Sequence, residues 1–300
     1  MMINAITGMK PIRLLIIACI GWMACGSPSG SEETAETAAT VEPLFTAPLG
    51  IQMYSYRNYY PTDMAGTLDR IKELGLTEVE GDGGSIAPEE FKKMCDERGI
   101  RIPATGADFG ELENNPMAVV QKAQALGSKF VMCAWVPHNG DFTLADAEHA
   151  VKVFNASGKV LHDNGLILCY HAHGYEFQPF ENGTLLDYII QNTDPQNVSF
   201  EMDIFWVQFG GGDPVALMQK YGDRWKLLHL KDMKTGTVKD LTGGTSEENN
   251  VVLGTGELDM PGIMKEAKRI GIAHYFIEDE SSAVLEQVPL SIAYLRNLSE

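Results

Sequence analysis

From about residue 48 to the C-terminus, short β-rich runs alternate with amphipathic helical patterns eight times, and few architectures accept that rhythm. The runs are LGIQMYS (49–55), TEVEG (77–81), RIPATG (101–106), KFVMCAW (129–135), LILCYHA (166–172), VSFEMD (198–203), KLLHLK (226–231) and HYFIED (274–279). Turn residues bound each of them, which marks them as strands. Helical patterns fill residues 63–75, 87–99, 116–127, 144–165, 185–192, 214–222 and 260–271, and several end in Gly, the usual residue just past a helix C-terminus. Eight β-α units in about 250 residues predict a single (β/α)8 TIM barrel over residues 46–300. A doubly wound open sheet would have fewer units and often a Gly-rich phosphate loop after its first strand. Here the first strand runs into YSYRNYY, and the chain contains no GxGxxG or GxxxxGK[ST] motif.

The first 25 residues read as a targeting segment. Lys10 and Arg13 precede the apolar stretch LLIIACIGWMA (14–24), which is too short to span a bilayer as a helix. Cys25 follows Ala24 and precedes a stretch of linker composition, so residues 1–25 resemble a bacterial lipoprotein signal and 26–45 a flexible tether. That pattern predicts export, lipidation at Cys25 and a membrane association made only through the lipid, facing the periplasm. The remaining thiols, Cys95, Cys133 and Cys169, read as small buried hydrophobes, two of them within strand runs. A formal charge of −18 excludes a nucleic-acid partner, which would need a basic footprint.

Chemistry concentrates at the strand ends. In a barrel of this kind functional residues sit at the C-terminal ends of the strands, and side chains alternate in and out. On the fifth strand Cys169, His171 and His173 share a face, with Glu176 just beyond. Ser199, Glu201 and Asp203 share a face on the sixth, Leu227, His229 and Lys231 on the seventh, and Phe276, Glu278 and Glu280 on the eighth. Imidazoles and carboxylates together suit one divalent ion, Mn²⁺, Mg²⁺, Co²⁺ or Zn²⁺, and no CxxC or CxxH spacing suggests a structural zinc. Arg57, Glu80, Asp108, Trp135 and His138 follow the first four strands and are candidates to line a substrate pocket. Trp206 is a candidate to stack on a sugar ring. Residues 233–252 form a βα loop long enough to serve as a lid.

The segments GIQMYSYR (50–57), CYHAHGYEF (169–177), FEMDIFWV…GGDP (200–214), LLHLKDM (227–233), LGTGELDMPGIM (253–264) and YFIEDE (275–280) resemble the xylose isomerase-like TIM barrels commonly labelled sugar phosphate isomerase/epimerase. The resemblance covers about residues 45–300. It implies Asp203, His229 and Glu278 as metal ligands. Where ketohexose epimerases have a strand-end Glu on strand five, this chain has YHAHGYE (170–176). Glu176 is the expected fourth ligand and His171 the alternative, with His171, His173, Lys231 and Glu278 as the catalytic set. The departure counts against an epimerase mechanism with two opposed glutamates.

A carbohydrate substrate follows, and the lack of an Arg cluster or phosphate loop predicts an unphosphorylated one. The leading expectation is an isomerase or epimerase working through an enediolate. A lyase or dehydratase acting on a keto-sugar or 3-keto-glycoside is the alternative, and a non-catalytic sugar-binding lipoprotein is the third reading.

Overall fold

The computed structural model describes residues 43–299, so the signal segment, Cys25 and the tether up to residue 42 lie outside the described residues. Eight parallel strands close into a barrel: β1 (Leu49–Gln52), β2 (Glu78–Glu80), β3 (Arg101–Gly106), β4 (Phe130–Cys133), β5 (Ile167–His171), β6 (Val198–Asp203), β7 (Trp225–Leu230) and β8 (His274–Ile277). Each pairs with its neighbours in sequence, and β1 closes on β8 through Gly50 opposite Phe276. Gly is required at that closure: a Cβ on Gly50 would lie 2.7 Å from the Phe276 ring and 3.0 Å from Glu78 Cβ. The expected (β/α)8 barrel is therefore present.

The helices form where the periodicity places them and stop where local chemistry stops them. Helix α1 spans Met64–Glu73, and α2 spans Pro88–Asp96. After β3 come α3 (Phe109–Asn114) and α4 (Pro116–Leu126), the latter closed by Gly127 in the left-handed region. Helix α5 (Leu144–Asp163) opens on a capping box in which Thr143 and Asp146 satisfy each other's backbone N–H. Helix α6 covers Leu185–Asn192, α7 Ile204–Phe209, α8 Pro214–Tyr221, α9 Met260–Ile270 and α10 Val284–Asn297. The short α3 and α7 and the terminal α10 were not expected from the pattern. The first two are single turns-and-a-half set by caps at Asp108 and Asp203 rather than by an apolar stripe.

The folded unit starts slightly earlier than residue 46. Leu44 and Phe45 are buried, Leu44 N–H donates to the Leu298 carbonyl at 2.9 Å, and Phe45 packs edge-on against Tyr275. These two residues are core, not tether.

Inside the barrel the alternation of side chains stacks a small apolar layer of Ala104, Phe130, Cys169, Leu227 and Phe276. Two residues further along β5, β7 and β8 the same inward column delivers His171, His229 and Glu278. On β6 it delivers Glu201 and Asp203, and on β1 and β2 Gln52 and Glu80. Thus the apolar plug carries a polar layer at the C-terminal end of the strands.

Candidate active site

Four side chains from four adjacent strands converge on that layer. Asp203, His229 and Glu278 form one group with ligand atoms within 4.8 Å of one another, and His171, Glu201 and His229 form another. His171 Nε2 and His229 Nδ1 each lie 3.9 Å from Asp203 Oδ2, and His229 Nδ1 lies 3.3 Å from Glu278 Oε2. All of these residues are buried.

Asp203 is aimed by the chain that follows it. As the N-cap of α7 its Oδ1 accepts from the Phe205 and Trp206 amides at 2.8 and 3.1 Å, which leaves Oδ2 facing the imidazoles. Among the buried atoms here without a hydrogen-bond partner are Asp203 Oδ2, His171 Nε2 and His229 Nδ1. Buried polar atoms are ordinarily paired. Three orphaned donor atoms pointing into one space, with Glu278 beside them, fit a divalent ion held by His171, Asp203, His229 and Glu278. Nitrogen and carboxylate donors suit Mn²⁺, Co²⁺ or Zn²⁺ better than a purely oxygen-seeking ion.

Behind the ligands stand two further carboxylates. Glu201 Oε2 is 3.1 Å from His171 Nδ1, and its Oε1 is 3.3 Å from His229 Nε2. Glu80 Oε2 accepts from Gln52 Nε2 at 2.7 Å and lies 2.5 Å from His229 Nε2. This crowd of buried carboxylates raises Asp203 and Glu201 above the usual range, burial being the largest cause for both. His229 is held well above an ordinary histidine: burial opposes its charge, but Glu201, Glu80 and Glu278 outweigh it. His171 goes the other way, lowered by burial and by His173 and His229 beside it. The layer thus demands positive charge that Lys231 alone does not supply.

Lys231 Nζ lies 3.4 Å from Glu278 Oε2, is hydrogen-bonded to Glu280 Oε1, and sits over the rings of Phe205 and Trp206. Burial would favour its neutral form, yet the carboxylates of Glu278, Asp203 and Glu280 keep its pKa raised. It is a fixed ammonium and not a base.

An open cavity of about 470 Å³ stands over the group, lined among others by Gln52, Tyr54, Trp135, His171, His173, Trp206, His229, Glu247, Glu278 and Glu280. His173 packs between Trp135, Trp206 and His171, and burial pushes it down to about 4, so it is neutral at pH 7. Gly243, Gly244, Thr245 and Glu247 of the long 233–252 loop complete the lining. The loop is tied down by an Arg57–Glu247 ion pair of 2.6 Å and by Gly243, whose positive φ and lack of Cβ let it lie on Tyr175.

Two sequence expectations need correcting. Glu176 stands outside the cluster. It lies in a short turn (Tyr175–Phe177) behind strand β5, where it accepts from the Tyr170 hydroxyl and from His173 N–H at 3.1 Å, and burial raises it to about 7. The chain reverses at Gly174 with φ +90°, which turns Glu176 away, so that His171 is the residue strand five presents. Glu80 and Arg57 are not cavity-lining either: Glu80 is fully buried beneath the imidazoles, and Arg57 secures the loop. Trp135 and Trp206 do line the cavity; His138 stacks on Trp135, and Asp108 borders an adjoining hollow. Gln52 and Glu201 were assigned no role from sequence, although Glu201 shares its strand face with Asp203.

The sequence profile of the xylose isomerase-like TIM barrel matches residues 68–298. Inosose dehydratase of Salmonella typhimurium is 35% identical over 240 residues, covering 77% of this chain and 73% of the relative. A shorter match to inosose dehydratase of Clostridium tetani, 32% identical over 99 residues, covers 33% of this chain and spans only 32% of that relative's length. The crystal structure of a sugar phosphate isomerase/epimerase from Parabacteroides distasonis is similar at 28% identity and a TM-score of 0.70, over 84% of this chain and 94% of that one. With more than half its length matched by the profile and its eight strands closed into a barrel, this chain belongs to the xylose isomerase-like TIM barrel family.

Proposed function

We propose that this chain is a metal-dependent lyase that eliminates a β-oxygen substituent, water or an alcohol, from an unphosphorylated keto-sugar. The coarser statement stands on the family: it is an enzyme of the sugar isomerase, epimerase and dehydratase type. The observation that carries the finer reading is strand five. His171 occupies the inward position there, and Glu176 is turned away, so strand five offers no carboxylate to pair with Glu278. Epimerisation by proton exchange between carboxylates of strands five and eight lacks its partner, whereas elimination needs one base that hands its proton to the leaving group.

A divalent ion held by His171, Asp203, His229 and Glu278 would polarise the substrate carbonyl and acidify the adjacent C–H. In this reading His173, neutral and lining the cavity, takes the α proton, and the C–H electron pair delocalises onto the carbonyl oxygen as an enolate. The oxygen pair then re-forms the C=O bond, and the enolate C=C pair becomes the new Cα=Cβ bond as the β C–O bond breaks. The proton taken up by His173 passes to the departing oxygen, so the products are an enone and water or an alcohol, while Lys231, bridged to Glu280, keeps its positive charge beside the reacting group. Trp206 and Trp135 offer apolar faces against which a sugar ring can pack.

The acidic lining supports a substrate without phosphate. Glu247, Glu278 and Glu280 line the cavity, and neither Arg nor Lys is among its lining residues. Export with lipidation at Cys25 belongs to the same proposal, carried by the N-terminal sequence. The isomerase or epimerase reading keeps one support, the likeness to the Parabacteroides distasonis structure, and the same experiment separates the two. Metal-loaded enzyme is incubated with keto-sugars and 3-keto-glycosides in D₂O and followed by NMR and mass spectrometry. Elimination appears as an olefinic product with loss of water or release of the aglycone. Deuterium at the α-carbon with no loss of mass beyond the exchange would overturn elimination in favour of isomerisation.

A further inference from the structure

The two ligand imidazoles face the orphaned space through different nitrogens. His171 turns Nε2 toward Asp203, and its Nδ1 is 3.1 Å from Glu201 Oε2. His229 turns Nδ1 toward Asp203 and Glu278, and its Nε2 is 2.5 Å from Glu80 Oε2. Rotating either ring by half a turn would place carbon where the ligand atom is needed. A neutral imidazole binds through one nitrogen and carries its proton on the other, so whatever accepts that proton decides which nitrogen is free.

We infer that Glu201 and Glu80 are positioning residues of the metal centre, each holding one imidazole in opposite tautomers so that His171 binds through Nε2 and His229 through Nδ1. Both carboxylates are fully buried, and neither lines the cavity, so contact with substrate is not their role. Glu201 comes from the strand that supplies Asp203, two residues earlier, and reaches between the two rings, its other oxygen 3.3 Å from His229 Nε2. Glu80 comes from β2, across the barrel, and is itself steadied by Gln52. The inward columns of β1, β2 and β6 thereby orient ligands borne on β5 and β7. The inference rests on the reading that His171, Asp203, His229 and Glu278 hold an ion.

The test uses ¹⁵N-labelled full-length mature protein loaded with zinc. Long-range ¹H–¹⁵N correlation should show the ring proton on Nδ1 of His171 and on Nε2 of His229; any other assignment overturns the inference without recourse to a variant. Glu201→Met and Glu80→Met keep bulk and remove the acceptor, and each should weaken zinc binding about 10- to 100-fold. Glu201→Gln and Glu80→Gln retain a carbonyl oxygen and should recover most of that loss and the wild-type proton positions. A Met variant that folds by circular dichroism and binds zinc within twofold of wild type overturns the role of that carboxylate. Zinc failing to bind the wild-type protein would instead sink the metal-enzyme reading. The metal-free spectrum then still decides Glu201, since His171 must keep its proton on Nδ1 in wild type and lose that preference in Glu201→Met.

Discussion

At the N-terminal end of the barrel, Glu78 is buried at the start of β2 and meets two partners, Arg101 at 2.7 Å and the His274 imidazole at 2.8 Å. At the C-terminal end of the same strand, two residues on, Glu80 joins Glu201, Asp203 and Glu278 around two imidazoles and one lysine, and Asp203 Oδ2, His171 Nε2 and His229 Nδ1 face one another without partners. One end gives its single carboxylate an arginine and an imidazole from neighbouring strands. The other gathers four carboxylates around two imidazoles and one lysine, which raises Asp203 and Glu201 and favours a bound cation. The difference identifies the C-terminal end as the working end from electrostatics alone, in agreement with the rule for this architecture.

The strongest way to break that comparison is to remove a ligand. Asp203→Ala and His229→Ala should each lose the bound ion, read by elemental analysis, and bring turnover to background while the far-UV spectrum stays unchanged. A variant that keeps both ion and activity would remove the centre assigned to these strands. Next in size is the ammonium. Lys231→Met should lower kcat by about 10²–10³-fold with much less effect on ion content, because it deletes one charge-stabilising donor. An equal loss of ion and rate would make Lys231 a structural counter-charge instead.

The opposite end should answer differently. Glu78→Ala leaves the half-buried His274 without its partner and Arg101 to solvent, and should cost about 1–3 kcal/mol in urea unfolding, with ion content and kcat unchanged. Any loss of ion affinity there would show that the two ends are coupled through β2.

Glu176 supplies a pH test. Its folded pKa of about 7 exceeds the ordinary glutamate value of 4.5, because burial disfavours its charge. The folded state therefore holds a proton that the unfolded state has lost between about pH 4.5 and 7, and stability falls as pH rises through that window. Glu176→Gln should flatten that part of the stability curve, and an unchanged slope would mean that Glu176 is ionised in the fold. The smallest effect concerns the thiols. Cys95 and Cys133 are buried, with pKa values pushed up to about 12 by burial, so thiol reagents should label neither in native protein and both after unfolding.

Much of this was legible in the residues. The alternation of β-rich runs and helical stripes determined the barrel, since eight repeats of that period leave each strand two helices to be covered by and no open edge to expose. The inward column was legible too: His229 and Glu278 stand two residues beyond the apolar Leu227 and Phe276, Asp203 stands two beyond Glu201, and a period of two carries them to one face. Three matters were not legible. The reversal at Gly174 decided that His171 and not Glu176 faces the centre, and no periodicity reports where a chain turns after its strand ends. Glu80 and Glu201 looked like a pocket residue and an unremarkable neighbour, because their role depends on which imidazole nitrogen each touches from across the barrel. Arg57 became a loop tether only once Glu247, 190 positions later, was beside it. Local sequence decides period, caps and faces, which are interactions within a few residues. Partners far apart in the chain are decided by closure of the barrel, and in this protein the chemistry depends on those partners.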